Sequence, residues 1–182
     1  ILLAIAIVHN RATAISVMPW IITSQTIPIL ALAPMIVVAL GSAGFSGLLP
    51  IAIISMYLSF FPVVVGMVKG LKSPERLELD QMKTWSASGS QVLVKLRLPK
   101  SMPYFFTSLK LGMAAALVGA IVGELPSGGG GGLGFRMLSG STFGNTLHIW
   151  SGLFSAAVLA ASLIIFIGVI QKIILKKMAL EL

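Results

Sequence analysis

The sequence has no cysteine and few charged residues. Without cysteine it has no disulfide scaffold, no thiolate metal site and no cysteine nucleophile. Charged residues are 10% of the 182 residues, whereas a soluble domain has about a quarter. Hydrophobic residues are 57%, which is more apolar surface than a small soluble core can bury. The composition therefore predicts an all-α integral membrane protein.

Long uncharged stretches predict the membrane crossings. No charged residue lies between Ala12 and Val68, a length that suits two crossings separated by the glycines of 41–47. The predicted crossings are residues 15–40, 46–68, 104–125 and 147–170. Residues 1–8 are apolar but too short to span, so we expect the tail of a helix whose beginning is missing. The predicted fold is a multi-helix bundle forming a single transmembrane domain over 1–182, truncated at its N-terminus.

The first predicted crossing carries Pro19, Pro28 and Pro34. In a membrane bundle, neighbouring helices and Ser or Thr side chains can satisfy the carbonyl groups that a proline leaves free. Two interpretations stay open, a kinked structural helix and a broken helix that lines a cavity. The second depends on the polar run Ser24, Gln25 and Thr26 beside Pro28.

Residues 69–100 form a segment that is charged and amphipathic rather than apolar. Ser73-Pro74-Glu75 predicts a helix start with Ser73 as the cap. Leu98-Pro99 and Met102-Pro103 predict the end of the segment. We therefore expect one or two short helices outside the bilayer.

The basic residues predict the orientation. If the predicted crossings alternate, every one of the 13 Lys and Arg residues except Arg136 falls on one side, with Lys110 near the start of its crossing and able to snorkel to the surface. Positive charge marks the cytoplasmic side. Residues 69–100 and the C-terminus then lie on the cytoplasmic side, and the glycine-rich loop 126–140 lies outside and is flexible. We interpret the net charge of +8 as topology and attraction to anionic lipid, not as a nucleic-acid surface.

No group of residues predicts catalysis or metal binding. His9 and His148 fall on opposite sides of the membrane, so they cannot share a metal. The glycine-rich loop lacks the Lys-Ser/Thr pair of a phosphate-binding loop. Glu124 is the one acid in or near a crossing; it could line a path through the membrane, or pair with Arg136 at the interface. We expect no catalytic residue, no metal and no cofactor on this chain.

One stretch resembles a known family. Membrane subunits of binding-protein-dependent ABC importers have a cytoplasmic signature of Glu-Ala-Ala, three residues, Gly, nine residues, then Ile-x-Leu-Pro. Here Asp80-Gln81-Met82 stand at the Glu-Ala-Ala positions, Ser86 at the glycine, Leu96 at the isoleucine and Leu98-Pro99 at the Leu-Pro. The acid, the aliphatic residue and the Leu-Pro are kept, while both alanines and the glycine are replaced.

The resemblance extends over most of the chain. Residues 27–34 resemble the proline-rich helix of the permease group that includes nitrate, sulfonate, taurine and vitamin-precursor importers. Residues 122–126 and 138–141 are most similar to its riboflavin and thiamine-pyrimidine branch. The solute implied by that likeness is a vitamin or a vitamin precursor.

The resemblance implies a transport mechanism with several partners. It places the protein in a bacterial inner membrane. Residues 69–100, called the coupling segment below, would dock in a groove of an ATP-binding cassette ATPase, which holds the ATP and Mg, through Leu79, Met82 and Trp85 at helical spacing. Asp80 would cap or pair with a basic residue of the ATPase. A second permease subunit, identical or different, and an extracytoplasmic solute-binding protein would complete the importer. The solute path would include Ser24 to Pro28 and Glu124.

Other interpretations remain at this stage. The coupling segment would also suit an amphipathic helix lying on the membrane surface with its basic face on lipid. The whole chain would suit a fragment of a secondary transporter or channel, although it offers few intramembrane ionisable groups for ion coupling. A membrane-embedded enzyme would need polar constellations that this sequence lacks.

Overall fold

A computed structural model describes residues 1–127 and 131–178 of the chain. Within those ranges every regular element is a helix, which confirms the all-α prediction. The helices are α1 (Leu2–His9), α2 (Arg11–Ser24), α3 (Ile29–Ser42), α4 (Leu48–Leu71), α5 (Arg76–Thr84), α6 (Gly89–Val92), a π-helical turn (Leu93–Arg97), α7 (Leu98–Glu124), α8 (Leu133–Thr142) and α9 (Thr146–Lys177).

Three described helical stretches are long and apolar enough to cross a membrane, Leu48–Leu71, Gly89–Glu124 and Thr146–Lys177. A fourth crossing exists if α2 and α3 together make one span, but these two helices meet at an angle of 96°. The single helix predicted over 15–40 is therefore wrong. The break falls at Pro28, which has no N–H to donate and disfavours a helical conformation in the residue before it.

The helix from Gly89 to Glu124 starts much earlier than predicted. The prolines at 99 and 103 do not end the coupling segment. A π-helical turn comes directly before Pro99, with the Leu98 N–H donating to the carbonyl of Leu93. Such a turn changes the hydrogen-bond register at a point where proline removes a donor. Lys110 consequently lies about 18 Å along the axis from Leu98, deeper in the helix than the sequence predicted.

The chain forms two compact units. The first consists of residues 1–21, 62–111 and 166–182, and its described buried side chains include Ile7, Met67 and Leu71. The second consists of residues 22–61 and 112–165, and it buries Pro50 and Ile54. The single transmembrane domain stays a prediction.

Close helix packing occurs at small residues. In the second unit, a Cβ atom on Gly119 would lie 2.8 Å from the Cα atom of Ser55, so α4 and α7 approach through their backbones. In the first unit, a Cβ on Gly70 would lie 2.8 Å from the Cβ of Tyr104. Small residues allow such contacts where lipid offers no hydrophobic drive between helices. Gly119 is therefore the position that allows α7 to pack closely on α4 in the second unit.

The glycine-rich stretch is partly helical, contrary to the prediction of a loop over 126–140. Helix α8 begins at Leu133, directly after the last glycine of the run. The central glycines 128–130 lie outside the described residues. The predicted start of the last crossing is confirmed within one residue, since α9 begins at Thr146.

Candidate functional site

The coupling segment begins with a helix whose start differs from the prediction. Helix α5 follows Glu75, not Ser73, and the Glu75 N–H donates to the Glu78 carboxylate at 2.7 Å. The Ser73 hydroxyl instead donates to the carbonyl of Gly70 at 2.7 Å, so it closes the end of α4. An acid three residues into a helix satisfies a free N–H and favours the helix dipole.

Helix α5 ends in a left-handed residue, Ser86, with φ of 52°. The Ala87 N–H donates to the Met82 carbonyl at 3.0 Å, and the Ser86 N–H donates to the Lys83 carbonyl at 2.8 Å. This pair of bonds is the Schellman motif, which normally has glycine at the left-handed position. Ser86 therefore occupies the one position of this helix end where glycine is favoured.

The predicted docking residues differ in their exposure. Met82 is buried, with 9% of its surface exposed, while Trp85 is 68% exposed. Asp80 is exposed and accepts from Lys83 at 2.7 Å. Met82 thus anchors α5 within its own unit, and Trp85 is available to a partner.

Residues of the signature come together around a cavity of about 480 Å³, called the signature cavity below. Its lining includes Glu78, Gln81, Met82, Trp85, Lys95 and Leu96. Leu79 faces a different cavity, on the other side of α5. Leu98 and Pro99 lie half-buried at the start of α7. The signature spacing therefore brings α5 and the π-helical turn to one concave surface.

An ion pair that the sequence analysis missed ties α5 to α7. The Lys100 ammonium contacts both carboxylate oxygens of Glu78. The hydrogen bond from Lys100, with the one from the Glu75 N–H, holds the pKa of Glu78 below its ordinary value. Lys100 lies beside Glu78 because the helix continues through Pro99. The sequence analysis ended the segment at Leu98-Pro99 and therefore did not predict this pair.

The predicted path residues Ser24 to Pro28 occupy the break between α2 and α3, within the second unit. The Tyr57 hydroxyl on α4 donates to the Ser24 carbonyl at the end of α2. The side-chain nitrogen of Gln25 is buried and has no hydrogen-bond partner. Thr26 donates its hydroxyl to the Thr23 carbonyl at 2.8 Å. At the break, the Gln25 amide donor has no partner, and the neighbouring Ser24 carbonyl accepts a hydrogen bond from Tyr57.

Glu124 has a partner other than the predicted Arg136. Its carboxylate accepts a hydrogen bond from the Gly134 N–H in the first turn of α8. A carboxylate at a helix N-terminus satisfies a free N–H group and favours the helix dipole. Glu124 also lines a cavity of about 500 Å³ with Ser127 and Phe135. It connects the end of α7 to the start of α8, and residues 24–28 are not among those that line its cavity.

Comparison with known proteins gives a family match over nearly the whole chain. The model of the binding-protein-dependent transport system inner membrane component matches residues 1–180. A probable ABC transporter permease protein of Haemophilus influenzae is 32% identical over 135 residues, 74% of this chain and 53% of the relative.

Four relatives have names that include a solute, namely formylaminopyrimidine, riboflavin, aliphatic sulfonates and taurine. The formylaminopyrimidine transport permease protein of Halalkalibacterium halodurans is 35% identical over 124 residues, 68% of this chain and 48% of the relative. The riboflavin transport system permease protein of Chloroflexus aurantiacus is 26% identical over 168 residues, 92% of this chain and 61% of the relative. The chain spans about half the length of the curated relatives it matches.

Proposed function

Because the chain belongs to the family of inner membrane components of binding-protein-dependent transport systems, we propose that it is the permease subunit of an ABC importer that moves a small solute inward. The part of the chain that the structure describes has three long apolar helices and one bent pair, which suit a multi-pass membrane subunit. ATP hydrolysis would take place on a separate ATPase that holds the ATP and Mg.

The observation that carries this proposal is the conformation of Ser86. The family signature has glycine at this position, and Ser86 adopts the left-handed conformation that glycine favours. The spacing match thus coincides with a matching helix end, which a chance match in composition would not produce.

The coupling segment would dock on the ATPase through the rim of the signature cavity. Trp85 offers a large exposed apolar surface, and tryptophan is a common anchor of interfaces. Asp80 is exposed one turn earlier and can meet a basic residue of the ATPase. Met82 and the Glu78–Lys100 pair would transmit the movement, because they fix α5 to the helix that enters the membrane.

The solute path would include the break between α2 and α3. Discontinuous helices supply polar backbone and side-chain groups at membrane depth in many transporters. Gln25 offers an amide donor without a partner, which suits a solute with carbonyl or ring-nitrogen acceptors. The relatives are named for formylaminopyrimidine, riboflavin, aliphatic sulfonates and taurine, and the first two support a vitamin or a vitamin precursor as that solute. A second permease subunit, identical or different, and an extracytoplasmic solute-binding protein would complete the assembly.

Transport by the full-length permease with its ATPase and binding protein in proteoliposomes tests the proposal. We expect labelled riboflavin or formylaminopyrimidine to accumulate with ATP and not with a non-hydrolysable analogue, and an ionophore to have no effect. Accumulation that needs an ion gradient and not ATP would favour a secondary transporter. If neither compound is taken up but the permease stimulates ATP hydrolysis, the solute assignment fails while the permease assignment stands.

A further inference from the structure

The first unit contains a second cavity, of about 420 Å³, on the face of α5 opposite the signature cavity. It is called the basic cavity below. Helix α1 supplies Ile5, Val8 and His9, helix α5 supplies Lys83, and the π-helical turn supplies Leu93 and Arg97. Neither the family signature nor the proposed solute path gives these residues a role as a group. Leu79, which also lines the cavity, was among the predicted docking residues.

Cationic and polar donors line one part of this cavity. Arg97 donates one N–H to the carbonyl of Leu71 at 3.4 Å, and a guanidinium has four further N–H groups. Lys83 is bonded to Asp80, but its side chain is 77% exposed and an exposed pair of this kind contributes little. His9 adds an exposed imidazole at the end of α1. Asp80, the partner of Lys83, is the carboxylate next to this cluster.

Apolar side chains line the rest of the cavity. Ile5 and Val8 belong to α1, whose sequence from Ile1 to Val8 is entirely apolar, and both are half-buried. Leu93 and Val92 continue the apolar wall from the opposite side. A small inorganic anion would leave this wall in contact with water. A molecule with an anionic head and a hydrocarbon chain would cover it.

We propose that the basic cavity binds one anionic phospholipid. The phosphate would accept hydrogen bonds from Arg97 and Lys83, and the first part of an acyl chain would lie along Ile5 and Val8. Basic pockets between membrane helices on the cytoplasmic side bind anionic headgroups, and the guanidinium matches phosphate geometry. The occupied cavity would hold the end of α1 against the coupling segment, so lipid would affect how firmly that segment is held.

Lipid retention by the full-length permease in detergent tests this proposal. The probes are phosphatidylglycerol, phosphatidylcholine of the same chain length, and glycerol 3-phosphate, each titrated and followed by native mass spectrometry. We expect one phosphatidylglycerol per chain to remain bound at concentrations where phosphatidylcholine does not. Glycerol 3-phosphate should bind much more weakly, because it lacks the chain that contacts Ile5 and Val8.

Three variants distinguish the effect of a lost positive charge on lipid binding from the effect of a filled cavity. Arg97→Gln should weaken phosphatidylglycerol binding about fivefold, the effect of one basic residue near an anionic surface. Gly89→Leu should abolish it without changing charge, because Gly89 lines the cavity and a Cβ placed there meets no atom within 4 Å. His9→Gln offers a milder change if Arg97→Gln unsettles the Leu71 contact. Lys176→Gln, on the last turn of α9 and not among the residues that line the cavity, is the charge-matched control.

The result that overturns the proposal is equal retention of phosphatidylglycerol by the wild type, Arg97→Gln and Gly89→Leu. Equal binding of phosphatidylcholine, or an equal loss in Lys176→Gln, would also overturn it, since either shows general adsorption. Binding of glycerol 3-phosphate as tight as that of the lipid would show a phosphate site without the acyl contact, and the lipid assignment would then be wrong.

Discussion

The Ala87 N–H donates to the Met82 carbonyl at 3.0 Å, closing helix α5 around a serine in the left-handed conformation. An L-residue in that conformation costs roughly 1–2 kcal/mol, whereas glycine adopts it freely. We therefore expect Ser86→Gly to raise the free energy of unfolding of the permease by about 1 kcal/mol.

Thermal melts in detergent measure this change. Ser90→Gly is the matched control, because Ser90 lies within helix α6, where glycine costs about 0.5–1 kcal/mol. The two substitutions should shift the melting temperature in opposite directions. A decrease for Ser86→Gly would show that the helix end differs from the one described.

The Glu78–Lys100 ion pair predicts a pH dependence. The pKa of Glu78 is lowered in the folded protein from its ordinary value of 4.5. The pair therefore stabilises the fold fully above the ordinary pKa, and this stabilisation is lost as the pH falls from about 4.5 through the lower folded value. Glu78→Gln should flatten the stability profile in that window.

Melting curves of wild type, Glu78→Gln, Lys100→Gln and the double variant between pH 3 and pH 7 measure this dependence. The single variants should each remove the same contribution, so the double variant should be little less stable than either one. Additive losses would mean that the two side chains do not interact.

Glu124 is expected to hold the start of α8. Loss of a charged acceptor at a helix N-terminus should leave the Gly134 N–H without a partner. Glu124→Ala should therefore speed amide hydrogen exchange in α8 by about tenfold, equal to about 1.4 kcal/mol. Glu124→Gln keeps an acceptor oxygen and should lose less protection.

Peptide-resolved hydrogen exchange measures this effect, with α5 as an internal reference that should not change. Unchanged exchange in α8 of Glu124→Ala would contradict the proposed contact. A transport defect in that variant would then have to come from a role of Glu124 in the solute path, and not from a loosened α8.

Two glycine-to-alanine substitutions should have opposite effects in the second unit. A Cβ on Gly119 would lie 2.8 Å from the Ser55 Cα and 3.1 Å from its nitrogen. Backbone cannot move away as a flexible side chain can, so Gly119→Ala should cost about 1–3 kcal/mol. A Cβ on Gly41, within α3, meets no atom within 4 Å, so Gly41→Ala should gain about 0.5–1 kcal/mol.

Melting temperatures of the two variants under identical detergent conditions measure the difference. A neutral Gly119→Ala would mean that α4 and α7 are further apart than described. A destabilised Gly41→Ala would mean that α3 packs against an element that covers Gly41 in the full assembly.

The sequence predicted the crossings that depend on long apolar runs, since lipid demands an unbroken hydrophobic length. It did not predict the 96° bend, because a proline at position 28 suits both a kink and a break. Pro99 was expected to end the segment, but the helix continues through it. A π-helical turn before Pro99 accommodates the missing hydrogen-bond donor. No local sequence pattern distinguishes that turn from a helix end. Lys100 and Lys110 consequently lie further along the helix than the sequence predicted.

The candidate site was predicted in part. Gln81, Met82 and Leu96 stand at signature positions, and the structure gathers them around one cavity together with Trp85. Helical spacing also put Leu79 with Met82 and Trp85, but Leu79 faces the other side of α5. Tyr57 was missed because its contact with Ser24 joins residues 33 positions apart, which periodicity cannot detect.

The most direct test of the central claim measures ATP turnover of the permease reconstituted with its ATPase, for the wild type, Trp85→Ala and Asp80→Arg. Both side chains are exposed in this chain, so neither substitution should unfold it. We expect membrane insertion to be unchanged and solute-stimulated turnover to fall at least tenfold in each, with Leu77→Ala, another exposed residue of α5, as the control close to wild type. Turnover and ATPase association equal to wild type in both variants would contradict docking through this segment.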